Sequence, residues 1–486
     1  MNSPRAAPHA CEACKAKKRR NWRACIYPHS SGQKVPTGYA RRATQNVVVS
    51  RHFEHQHKSP TPQDLGDDPS LSVFRSTSLR QQYLSILIAR DLALPDYVAQ
   101  HLGGAVEQHE ISTHYFEVTH QWLPIVSKQK FHQDLIATTA PDMMLLLLCM
   151  KLIDWQPDAG TPQTALYEAA KRFFLDVELA GVVSLALLQA ALLIAFYELG
   201  HGMYPLAYVS VGVCTRYSAV LGIEPQSQSS SSRPSAKWVE EEERLRLWWA
   251  MLLLGRFTNL CQPGQLPSIE APKAEHMLPS DDRSWNEGQT YGSLQQATVA
   301  SPIKTQYSRF SLVAQAVVLL DKVMGHISQD NETDGYEEEK LQLQRTIDAM
   351  LEFTRFECVP RHLYRVFGCE VKAILYGALI ALRDATDGSP SCSPDIALVV
   401  GSELAAVTWE ESLHDNDFGR DRWPPLAVHI IHQAAISLLR RKKGLGFTAL
   451  QKLMQPFREA LTIAQRRWLS AKVYLEDIEE QVMHLS

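Results

Sequence analysis

The chain has 486 residues, of which 45% are hydrophobic and 21% charged, with nine cysteines and a net charge of −4. That length suggests two to three domains with ample material for a core, and the balance excludes a fibrous or wholly disordered protein. The net charge conceals an asymmetry: twelve Lys and Arg against Glu12 and Glu54 give residues 1–60 a charge of +10, which leaves −14 for the remainder.

The first element is residues 11–28, CEACKAKKRRNWRACIYP. Cys11 and Cys14 are separated by two residues, so both thiolates can reach one metal ion, and zinc favours such ligands in structural sites. Six of the nine residues from Lys15 to Arg23 are basic. A helix opening at Cys14 directs Lys15, Lys17, Lys18, Arg19 and Arg20 outward over little more than one turn, toward phosphates and base edges. With Arg23 these are the candidate DNA contacts, and the same patch suits a nuclear-import signal. A cationic end on an acidic body has the layout of a nucleic-acid-binding arm, whose attraction weakens with salt.

These residues resemble the start of the fungal binuclear zinc cluster, a DNA-binding module in which six cysteines hold two zinc ions. Lys15, Lys17, Lys18 and Arg20 match its basic positions, and Cys25-Ile26-Tyr27-Pro28 is similar to its sixth cysteine with the Tyr-Pro tail. Asn21 stands where the third cysteine is expected, and the proline-containing loop with three cysteines is missing. Three of six ligands cannot build a two-zinc cluster. Three explanations stay open: a missing short exon or misplaced splice boundary, a natural loss that leaves a regulator unable to read DNA, or one remodelled zinc site from Cys11, Cys14, Cys25 and His29. In an intact relative the resemblance implies two zinc ions, Lys17 and Lys18 at guanine edges, and dimers that read paired CGG-type half-sites.

Residues 31–80 are rich in Ser, Pro, Gly, His and charge and read as a linker. His52, His55 and His57 are close enough to share a metal, but an exposed polar cluster of this kind in a linker is more often incidental. No heptad run between His52 and Thr77 supports a coiled coil. From Ser78 onward apolar residues recur at spacings of three and four, which predicts helix after helix and an all-α body. Residues 81–105 read as a connecting helix with a loop at Gly103 and Gly104.

Residues 106–290 form the next unit. Tyr115, Phe116, Trp122 and Leu123 are expected on one buried side, with Pro124 as the helix stop. His109, His114 and His120 read as structural or surface histidines. Pro141-Asp142 opens a helix through Leu152, and residues 164–179 give another with Leu166, Phe173 and Phe174 as its stripe. Residues 184–223 predict a helix buried on most sides, a break at Gly200 and Gly202, and a second helix ending at Gly222. Val182–Tyr197 is too short to span a bilayer, and no membrane partner is expected. Residues 225–235 read as an insertion, after which KWVEEEERLRLWWAMLLLGRFTNL predicts one long helix. The Leu-Gln-Ala-Ala-Leu-Leu, Tyr-x-Leu-Gly and Leu-Gly-Ile sequences resemble the fungal-specific transcription factor domain, also called the middle homology region. So do the Glu243, Arg244, Arg246, Trp248, Trp249 and Arg256 series and the following Leu-Pro-x-Asp-Asp. Gly255 stands where that family commonly has Asp, which removes an expected partner of Arg256. Trp248 and Trp249 read as core.

Residues 291–486 read as the rest of the helical body, in blocks 308–328, 336–357, 361–385, 395–414, 425–441 and 448–484, the last a single long helix. Cys149, Cys214, Cys261, Cys358, Cys369 and Cys392 are scattered singly and read as core thiols. Glu240 to Glu243 and Glu337 to Glu339 are expected on solvent-facing helix starts. No Walker loop, dinucleotide fingerprint, HExxH pair or GxSxG elbow is present, so no enzyme is expected. The expectation is a nuclear, pathway-specific fungal transcription factor with double-stranded DNA as partner, as a homo- or heterodimer, tuned by a small-molecule effector or coactivator. The alternative is a DNA-binding-deficient regulator that works by heterodimerisation or effector binding.

Overall fold

A computed structural model describes residues 92–137, 139–156, 160–224, 238–261, 269–288, 297–302, 308–329, 335–357, 370–385, 395–413, 423–441 and 446–485. The described part of the unit from Leu84 onward is helical. Among the described residues its β pairing is an isolated antiparallel bridge between Met277 and Thr298.

The first half runs through α1 (Asp96–Leu102), α2 (Ala105–Glu117), α3 (Lys128–Ala137), α4 (Pro141–Ile153), α5 (Ala165–Leu179), α6 (Leu185–Gly200), α7 (Tyr204–Leu221) and α8 (Trp238–Cys261). Gly103, at φ 65°, turns the chain between α1 and α2, a conformation open to glycine without a Cβ penalty. Helix α2 ends at Glu117, earlier than the Pro124 stop the sequence suggests, and a single 3-10 turn follows at Thr119–Gln121. Tyr115, Phe116, Trp122 and Leu123 are all buried, as their spacing predicts. Side chains cap α5 and α6: Thr164 Oγ1 accepts from the Tyr167 amide and Ser184 Oγ from the Leu187 amide, each at 3.1 Å.

Helix α6 is the hub. Every residue from Ala186 to Gly200 is buried, because α4 and α7 pack along its sides while α5, α8 and α14 (Pro425–Arg441) close the remainder. A helix with an apolar surface all round demands such a jacket. Helix α7 stops at Gly222 in the left-handed conformation, φ 65°.

The second half contains the short α9 (Asp282–Asn286), then α10 (Arg309–Ile327), α11 (Tyr336–Glu357), α12 (Glu370–Asp384), α13 (Ile396–Leu413), α14, α15 (Phe447–Ala464) and α16 (Leu469–Leu485). Helices α10, α12, α14 and α16 pack in succession, and α8 joins α10 to the first half. By length and composition α10 is the helix among the described residues long and apolar enough to cross a membrane, yet most of it is buried within the protein. The expected single helix over 448–484 is instead two. Arg467 and Trp468 are buried at the corner between α15 and α16, where the Trp468 indole donates to Trp423 O at 2.7 Å. Trp468 is buried against Gly200 of the hub and Arg467 against the end of α4, and the local periodicity carried no sign of either.

Candidate functional site

Cys11, Cys14, Cys25 and His29 lie outside the described residues, as do Lys15, Lys17, Lys18, Arg19, Arg20, Arg23 and the His52, His55, His57 cluster. Cys358, Cys369 and Cys392 do as well, while Cys149 and Cys214 are buried and Cys261 is half-buried. Among the described residues no three His, Cys, Asp or Glu gather to hold a metal ion. The chemistry the described residues do bring together is a set of buried ion pairs.

The start of α8 departs most from expectation. Glu242 and Glu243 are 2% and 3% exposed, not solvent-facing, although Glu337 to Glu339 on α11 are exposed as predicted. Glu243 Oε1 accepts from the Ser127 amide at 2.9 Å and from Gln189 Nε2 at 3.3 Å, and its Oε2 pairs with Lys130 at 2.9 Å. Glu242 Oε1 accepts from Arg246 Nε and from the Ser280 amide, both at 2.8 Å. Arg246 also grips Asp282 Oδ1 and Ser280 O, each at 2.8 Å, and its guanidinium lies 4.1 Å from the Trp285 ring centre. The Leu-Pro-x-Asp-Asp stretch is thereby explained: Ser280 and Asp282 occupy Arg246, while Asp281 caps α9 through the Ser284 amide at 2.8 Å. The i,i+4 spacing of Glu242 and Arg246 is a local signal from which this pair could have been read, but its burial comes from distant segments.

Arg256 finds its partner without an acid at 255. Asp321 of α10 accepts from Arg256 Nε at 2.5 Å and Ile269 O from its Nη2 at 2.8 Å. Trp248 and Trp249 are core, as expected, with the Trp249 indole donating to Met277 O at 3.0 Å.

A further pair, between α4 and the corner after α15, had no sequence signal. Arg467 Nη2 meets Asp154 Oδ1 at 2.9 Å across 313 residues, and both side chains are buried. Thr119 Oγ1 donates to the same oxygen at 2.5 Å. Burial lifts the Asp154 pKa, while Arg467 and the Thr119 hydroxyl pull it down. Between α2 and the end of α4 lies a cavity of about 320 Å³ lined by Glu110, Ile111, His114, Met150, Lys151, Asp154 and Trp155.

Three of the buried histidines are held neutral. Burial lowers His120, His201 and His429 each to about 3. His120 shares a 3.1 Å hydrogen bond with Asn286 and stacks on Trp285, a packing role rather than a ligand's. His114 is exposed on the cavity rim. Burial likewise raises the Cys149 and Cys214 thiols, the latter to about 12, which disfavours the nucleophilic thiolate.

The sequence profile of the fungal specific transcription factor domain matches residues 113–356. Transcription factor BOA15 of Botryotinia fuckeliana is 37% identical over 141 residues, which cover 28% of this chain and 79% of that protein. No solved structure matches the chain.

Proposed function

The chain belongs to the family of the fungal specific transcription factor domain, and we propose that this fungal transcription regulator reaches DNA through its cationic N-terminal segment. One observation carries the reading: a charge of +10 is concentrated in residues 1–60, around Cys11 and Cys14, on a chain whose remainder carries −14. Lys17 and Lys18 contact guanine edges in CGG-type half-sites, and Lys15, Arg19, Arg20 and Arg23 hold phosphates. The nucleus is the site of action and a pathway-specific gene set the target. The body is the regulatory part, where an effector, a coactivator or a second copy acts.

The thiolates available limit the metal. Cys11, Cys14 and Cys25 with His29 suit one tetrahedral zinc ion and fall short of a two-ion cluster. A bound ion supplies a structural cross-link, and the chain's own cations do the recognition.

The experiment is a gel shift of the full chain, folded with zinc, on a duplex with paired CGG sites against a scrambled duplex. Specific binding at low salt is expected, with log affinity falling by about 0.9 per phosphate contact for each tenfold rise in salt. Substituting Lys17 and Lys18 by Ala should abolish the preference for CGG. No shift at all overturns direct reading. Asn21 at the expected third-cysteine position favours a second reading in that event: a regulator without DNA affinity that pairs with an intact relative. Its test is whether added chain alters that relative's own gel shift.

A further inference from the structure

The outer faces of α5 and α7 form an apolar surface that none of the described residues covers. The two helices lie side by side: Lys171 Nζ donates to Ser210 Oγ at 3.4 Å, the Phe174 and Tyr217 rings are 6.0 Å apart, and the Tyr217 hydroxyl donates to Glu178. Leu175 and Leu179 follow Phe174 and Glu178 by one residue, and Val209, Val213 and Val220 stand within one helical turn of Ser210 or Tyr217, so both sets border the same seam. Leu175, Leu179 and Val209 are 55%, 82% and 60% exposed, and Leu206 and Val220 are exposed as well. Among the described residues no other two neighbouring helices expose as many large apolar side chains. A contiguous apolar patch of this kind on a protein surface marks a docking site.

Spacing and charge define what docks. Leu206, Val209, Val213, Arg216 and Val220 succeed one another at intervals of three, four, three and four residues, the repeat by which one helix seats another. Arg216 is exposed within that row and makes no ion pair or hydrogen bond with another described residue. A Cβ at Gly212 would stand 3.5 Å from Arg216 Nη1, so the guanidinium lies back along the helix. Covering the row takes water from this cation, which is costly unless an acid meets it. A second copy does not supply one. Laid parallel and in register it sets Arg216 against Arg216, and laid antiparallel about Val213 it sets Arg216 against Ser210, beside Lys171.

We propose that the seam between α5 and α7 docks an amphipathic helix of a partner protein, apolar along one face and with a single carboxylate on that face for Arg216. The inference rests on the reading of the body as the regulatory part, and it gives the coactivator contact a surface and a chemistry. Its test contains no DNA, so it fails or stands separately from direct DNA reading.

The test uses the full chain and two fluorescein-labelled peptides of three heptads, with Leu at the a and d positions, Ala and Gln elsewhere, and either Glu or Lys at the middle d position. Binding is followed by fluorescence anisotropy. The Glu peptide should bind saturably, at least tenfold tighter than the Lys peptide, and Arg216→Glu should invert that preference. Val209→Asp and Leu179→Asp, both at exposed positions that leave the core untouched, should each weaken the Glu peptide at least tenfold, with the fold checked by circular dichroism. Five outcomes overturn the proposal: no saturable binding of either peptide, equal binding of the two, a preference that Arg216→Glu leaves unchanged, full binding retained in either folded Asp variant, or a dimer of the chain that Val209→Asp dissociates in sedimentation, which assigns the face to a second copy.

Discussion

At the scale of single residues, the body is organised by charges placed where water cannot reach them. An isolated buried charge is costly, so each is found with a counter-ion and further hydrogen bonds: Arg246 with Glu242, Asp282 and Ser280 O, Glu243 with Lys130 and the Ser127 amide, Arg467 with Asp154 and Thr119. Removing one member leaves the other uncompensated. Arg467→Met is expected to destabilise the protein by about 3–5 kcal/mol, and adding Asp154→Asn should recover part of that loss, a non-additivity measured by urea unfolding. The buried histidines set the response to acid. Because His120, His201 and His429 have folded-state values near 3 against an ordinary 6.5, the unfolded chain binds more protons between those limits. Their contribution is complete above pH 6.5 and is lost as pH falls toward 3, at roughly 2 kcal/mol for each residue by pH 5. Melting curves from pH 7.5 to 5 should therefore show a falling Tm, and a flat profile would contradict the neutral assignment.

At the scale of elements, glycines show which helix faces are pressed together. A Cβ at Gly200 would run into the Trp468 ring and come within 3.1 Å of Pro425 Cβ, rigid groups on two sides. A Cβ at Gly255 would meet Ile269 Cδ1 at 3.6 Å and Val211 Cγ1 at 3.9 Å, ordinary contact distances. Gly200→Ala is therefore expected to cost about 1–3 kcal/mol or more through overpacking. Gly255→Ala should be neutral or stabilising by up to about 1 kcal/mol, since alanine favours a helix interior. Chemical denaturation of the two variants checks the opposite signs. The same geometry accounts for the missing acid at 255: with Asp321 of α10 on Arg256, α8 is tied to its neighbour by an ion pair between helices. Element existence was legible from apolar spacing across α4 to α8. The break between α15 and α16 was not, because Trp468 reads as one more apolar position until Gly200 and Trp423 are seen around it.

At the scale of the whole molecule, the family profile ends at residue 356 while the core continues to Val482. Helices α14 and α16 cover part of the α6 surface, and Arg467 reaches back to Asp154 and Thr119. A chain ending after Glu357 would expose that apolar surface and leave Asp154 without its counter-ion. It is expected to bind a hydrophobic dye and to melt without a cooperative transition, unlike the full chain. The candidate DNA contacts are legible in the sequence because a run of cations and a Cys-x-x-Cys spacing are local, and they lie outside the described residues. The buried pairing of Asp154 with Arg467 had no such local mark. By itself the sequence determined the all-helical class, the order of most helices, the charge asymmetry and the resemblance to the family, since all of these are written in spacing and composition. Only the tertiary structure decided which acids are buried and which cation each one meets. Glu243 is buried by Ser127, Lys130 and Gln189, and Asp154 by Thr119 and Arg467, residues brought together by helix packing across tens to hundreds of positions.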